Sequence, residues 1–222
     1  MELVSRCPRW FREYALHGVL VFLVLIPVFP RVFLDGHMTT SAYILYDFQP
    51  WKSYGTSDDF PHDEAILTWE FLGQFTGWYS LTNRALEMGE WPLWNPYEHT
   101  GVPLLANYQS AIFYPPRLLH SLVDLHLAST LLILLKVWLC GFNAYLYARG
   151  IGLRRVSSRI LSFGWMLATY NMIWTYWCEV DVSAWFPLLL LGIEWILAER
   201  YRRGFFLIAF SAVLMLLAGH PE

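Results

Sequence analysis

The 222-residue chain is 56% hydrophobic and only 15% charged, well below the roughly 25% of an average soluble domain, so lipid rather than water solvates much of it. The net charge of -3 hides an asymmetry: between Asp35 and Asp124 eleven acidic residues face three basic ones, Lys52, Arg84 and Arg117. That stretch argues against nucleic acid as a partner, and three scattered cysteines, Cys7, Cys140 and Cys178, indicate neither a disulfide framework nor a zinc site.

The fold class expected is all-α, a bundle of about five transmembrane helices with one large external loop. Residues 1–13 form a cytoplasmic N-terminus carrying Arg6, Arg9 and Arg12, and the apolar run 14–34, interrupted only by His17 and Arg31, is long enough to span. Its exit at Phe33, Leu34 and Asp35 offers no small-residue cleavage site, so it reads as a retained helix rather than a signal peptide. Residues 35–125 form the external loop, and residues 126–222 hold four further apolar runs: His126 to Tyr147, Val156 to Trp177, Val182 to Ala198 and Gly204 to Ala218. Arginines cluster at Arg149–Arg155 and again at Arg200–Arg203, at every second boundary, which places the N-terminus inside and the large loop outside. The third and fourth runs also fit a re-entrant hairpin across Cys178, Glu179 and Asp181. An apolar helix ending at His220, Pro221 and Glu222 reads as the front portion of a longer bundle. Lys136 falls in the middle of the second run, where an unpaired charge is expensive, and Glu194 in the fourth run is its expected partner.

The external loop is too long for a simple connector. From Leu67 onward Phe71, Phe75, Trp78, Leu81, Ala85 and Met88 recur at steps of three or four, one face of a helix expected to lie along the membrane surface and to end at Gly89. Glu70 and Gln74 lie one turn apart at the edge of that stripe, where a carboxylate is partly desolvated and suited to proton transfer, while the spacing alone favours the plainer reading of an interfacial acid turned to headgroups or water. Then come Gly89-Glu90-Trp91-Pro92-Leu93-Trp94-Asn95-Pro96-Tyr97, Gly101 to Ser110, and Phe113-Tyr114-Pro115-Pro116. The prolines forbid continuous helix and fix an irregular surface. Trp91, Trp94, Tyr97, Tyr108, Phe113 and Tyr114 supply flat apolar faces, and Asn95, Asn107 and Gln109 supply donors and acceptors for hydroxyls. Such a surface fits a sugar or a lipid-carrier head, and equally a rigid plug that packs the loop onto the bundle.

These three blocks, in this order, resemble the first outer loop of the bacterial membrane YfhO family, identified as polytopic glycosyltransferases of the GT-C type. A weaker likeness extends through Arg149-Gly150-Ile151-Gly152 to Gly219-His220-Pro221-Glu222. The resemblance implies a catalytic acid upstream of the tryptophan block. Glu70 followed by Gln74, Phe75 and Trp78 occupies that place, with Glu where the family has Asp; Asp47, within Tyr46-Asp47-Phe48-Gln49-Pro50-Trp51, competes for the role and Asp63 is third. It implies transfer of a sugar from a polyprenyl-phosphate carrier to a glycan, lipid or protein hydroxyl on the outer face. Glu70 or Asp47 would be the base, and Arg117, His120 and His220 would meet the lipid phosphate. Plainer roles stand beside these: Arg117 as a snorkelling anchor, and Asp58 with Asp59 as solvated loop. His220 with Glu222 is a candidate for a divalent cation, but two ligands define no site, and no metal is assigned. The competing function is a non-catalytic export or assembly subunit whose external loop binds a partner or glycan.

Overall fold

The computed structural model describes residues 8–39, 42–55 and 71–220. The chain is mostly helical, with a single two-stranded ladder among the described residues, and divides into two compact units. One comprises residues 1–37 and 134–222, the other residues 38–133.

In the first unit α1 runs Arg9–Val28 and a short α2 runs Pro30–Leu34. The expected span 14–34 is therefore interrupted at Phe29, because Pro30 has no N–H to continue the ladder and disfavours helical backbone at the residue before it. The next helix, α4 (Leu125–Gly150; α3 lies in the other unit, below), contributes residues to both units. α5 (Arg155–Met166) and α6 (Thr169–Ile173) follow, then α7 (Cys178–Leu197) and α8 (Tyr201–Leu217). Among the described residues three helices are long and apolar enough to cross a membrane: Trp10–Val28, Leu125–Gly150 and Cys178–Leu197. The third apolar run does not form one helix. It breaks at Leu167 and Ala168, and Asn171 Nδ2 donates to the Trp165 carbonyl at 2.6 Å, satisfying one of the backbone acceptors left at the end of α5.

Val21, Leu25, Leu134, Val137 and Met166 form the core where α1, α4 and α5 meet. α7 and α8 form a hairpin of very close approach. A Cβ added at Gly204 would lie 2.8 Å from the Gly192 carbonyl oxygen and 2.6 Å from Ile196 Cγ1, so the small residues are what permits this backbone approach. Lys136 is paired with Asp181, not Glu194. Its Nζ lies 3.0 Å from Asp181 Oδ2 and 2.8 Å from the Trp177 carbonyl, with both charged side chains 4% exposed, whereas Glu194 is exposed. The sequence places Asp181 in a polar break, but the helix already begins at Cys178, so Asp181 is one turn inside it and faces α4.

In the second unit α3 spans Thr76–Glu87, preceded by a π-helical turn at Phe71–Phe75. Gly89, with φ +73°, takes the left-handed conformation just after the helix ends, as the sequence predicts. Phe75, Trp78 and Ala85 of the expected stripe are buried, together with Tyr79, while Met88 is exposed. The stripe thus packs into the unit's own interior. Beyond it β1 (Trp94–Asn95) pairs antiparallel with β2 (Val102–Pro103), Trp94 opposite Pro103 and Asn95 opposite Val102. Gly101, at φ +112°, leaves room for the Trp94 ring, which a Cβ there would meet at 2.6 Å.

Candidate functional site

The second unit holds a pocket of about 270 Å³ whose walls include Tyr79, Asn83, Trp91, Phe113, Arg117 and His120. α3 supplies Tyr79 and Asn83, one turn apart on one face. The irregular segment supplies Trp91 and Phe113, whose ring centroids are 6.1 Å apart, and a 3-10 turn at Pro115–Ser121 supplies Arg117 and His120.

Tyr79 is the hub. The His120 ring stacks on it with centroids 4.3 Å apart, and the Arg117 guanidinium carbon lies 4.6 Å from the ring centroid, a cation–π contact. His120 is buried. Its Nδ1 is 3.2 Å from the Arg117 carbonyl and its Nε2 is 3.2 Å from the Ser129 hydroxyl oxygen, whose own proton is directed at the Leu125 carbonyl at 2.8 Å. Asn83 locks the turn to the helix. Its Nδ2 donates to the His120 carbonyl at 2.6 Å, and its Oδ1 accepts from the Ser121 hydroxyl at 3.1 Å. A polar depression shares Asn83, His120 and Ser121 and is also lined by Glu87 and Asp124. The Asp124 carboxyl is held below its ordinary range, chiefly by the Leu127 backbone N–H and also by that of His126, because it caps the start of α4. The arrangement joins aromatic walls, suited to the apolar face of a sugar ring, to a guanidinium suited to phosphate.

Of the residues singled out in the sequence, Trp91, Phe113, Arg117 and His120 meet at this pocket. Trp94 and Tyr97 are exposed on the β1–β2 hairpin; the Tyr97 hydroxyl accepts a long 3.4 Å bond from Arg84. Asn95 is buried and uses Oδ1 to accept the Tyr97 N–H at 3.0 Å, and Tyr114 is fully buried. Asn107 and Gln109 are half-buried beside the turn at Tyr108–Ser110, where the Asn107 carbonyl accepts from the Ser110 hydroxyl at 2.7 Å. Gln74 and Asp47 are exposed and do not line the pocket. Glu70, Asp58, Asp59 and Asp63 lie outside the described residues, as does Glu222. His220 belongs to the other unit, where its Nε2 is 3.5 Å from Glu179 Oε1. Among the described residues no three His, Cys, Asp or Glu side chains converge as a metal would need.

No family model, curated protein or solved structure matches this chain. Its chemistry therefore rests on the pocket's own residues. The sequence reading misses Tyr79, Asn83 and Glu87. They recur at intervals of four and form a second ridge along α3, next to the apolar stripe that drew attention first.

Proposed function

We propose that this protein is a membrane glycosyltransferase of the GT-C type, similar to the YfhO family, moving a sugar from a polyprenyl-phosphate carrier to a hydroxyl on the outer face of the cell membrane. The observation that carries the reading is the union of Trp91, Phe113 and Tyr79 with Arg117 in one pocket. The rings offer stacking surfaces, and the guanidinium offers charge to a departing phosphate. The base is Glu70 or Asp47, with Glu87 a third candidate because it lines the adjoining depression. Five crossings fit this reading when α8, 17 residues and about 25 Å long, and the broken α5–α6 segment also enter the bilayer. The N-terminus then lies in the cytoplasm.

A second reading, a non-catalytic export or assembly subunit, draws on Trp94, Tyr97 and Tyr108, aromatic side chains that are exposed and do not line the pocket. One assay separates the two. The protein reconstituted in liposomes is given a panel of radiolabelled polyprenyl-phosphate sugars. Transfer that falls at least tenfold in Arg117→Gln, by the rough size of one lost charged contact, supports the enzyme. Absence of transfer with every donor, alongside glycan or protein capture abolished by Trp94→Ala, favours the subunit.

A further inference from the structure

Among the described residues, the arginine-rich end of the first unit carries more positive charge than the carboxylate beside it neutralises. Glu13 on α1 is the carboxylate there, and both of its oxygens are taken. Oε1 accepts from the Tyr145 hydroxyl at 3.0 Å and from Arg149 Nε at 2.6 Å, and Oε2 lies 2.8 Å from Arg155. Arg159 follows Arg155 by one turn on the same face of α5. Among the described residues it has no ion-pair partner, and its Nε is buried without a hydrogen bond. His17 and Tyr145 feel its charge, and neither is anionic at neutral pH.

The surroundings do not compensate. His17 is fully buried, with Nε2 2.9 Å from the Ser162 hydroxyl and Nδ1 left without a partner. The first turn of α5 has no acidic residue and its start has no side-chain cap, so the positive end of the helix dipole adds to the guanidiniums. A half-buried guanidinium beside an uncapped helix start, with no carboxylate on it among the described residues, is suited to hold an anion. Depth points to its source. The cluster stands where α1 begins and α4 ends, at the terminus of two helices long enough to span, which is the level of lipid headgroups.

We propose that the Arg155–Arg159 face of α5 is a binding site for the phosphate of an anionic phospholipid headgroup. The full chain is reconstituted in nanodiscs of mixed phosphatidylglycerol and phosphatidylcholine, and the lipids it retains are counted by native mass spectrometry. The wild type should retain phosphatidylglycerol selectively. Arg159→Gln should lower that preference about fivefold, the effect of one arginine at a charged surface, and Arg159→Lys should keep most of it. Arg202→Gln, an exposed arginine at the start of α8, should leave it unchanged. Displacement by millimolar inorganic phosphate would identify the phosphate group itself as what is held. Retention against phosphate would assign the site to the intact lipid. Equal preference in wild type and Arg159→Gln, an equal loss in Arg202→Gln, or no preference in the wild type would overturn the proposal. If Arg159→Gln does not fold, Arg159→Lys and the wild-type selectivity still decide.

Discussion

Replacing Asp181 by Asn leaves the Lys136 ammonium buried beside a neutral amide. Both side chains of the pair are 4% exposed and 3.0 Å apart, so the charge left behind cannot be rehydrated without opening the α4–α7 interface. Removing one member of a buried pair costs about 3–5 kcal/mol. At about 2–4 °C per kcal/mol for a chain of this size, thermal unfolding in nanodiscs should fall by about 6–20 °C. Lys136→Met should cost a similar amount, since it strands the carboxylate. The double change Lys136→Met with Asp181→Leu should recover most of the loss, because a buried pair is worth little more than an apolar pair of similar volume. Glu194→Gln should change stability by less than about 0.5 kcal/mol, since that side chain is exposed. The reasoning fails if Asp181→Asn unfolds no earlier than Glu194→Gln, or if the double variant is as damaged as the two single changes combined.

Gly204→Ala places a methyl 2.8 Å from the Gly192 carbonyl, so the hairpin must separate at a cost of about 1–3 kcal/mol, more than the roughly 1 kcal/mol of helix propensity gained. Gly164→Ala in α5 meets nothing within 4 Å and should stabilise by about 0.5–1 kcal/mol; thermal unfolding compares the two. Asn83→Ala removes the clasp on His120 and Ser121 and should cost about 1–2 kcal/mol, with fluorescence of the buried Trp78 reporting loosening of its unit. The Asp124 carboxyl lies below its ordinary 3.8 because it accepts backbone N–H groups. Its contribution is therefore complete above that value and lost as pH falls through the lower folded one. Protection of the His126 and Leu127 amides, taken as exchange relative to the intrinsic rate at each pH, should fall over that acid range in the wild type and stay constant across it in Asp124→Asn.

Hydropathy and glycine placement carried much of the architecture. The runs beginning near Tyr14, His126 and Val182 correspond to the three helices long enough to span, and Gly89 marks the end of α3. What hydropathy could not register was backbone continuity. Val156 to Trp177 is apolar enough for one span, yet Asn171 accompanies a break that a sum of side-chain transfer energies does not contain. The Lys136 partner was misplaced for a related reason: a polar residue one turn inside a helix looks, in a linear reading, like the loop before it. At the site, Trp91, Arg117 and His120 were legible as an aromatic and basic boundary. Tyr79 and Asn83 were not, because their order depends on Pro115–Ser121 folding back onto α3.

The backbone approach of Gly192 and Gly204 bears on biogenesis. In the proposed five-span arrangement, 17-residue α8 is a weak candidate for independent partitioning from the translocon, but packed against α7 it would be delivered as the second arm of a preassembled hairpin. A bulky residue at either glycine would then act first on insertion efficiency, during synthesis, before any effect on the finished protein's activity is felt.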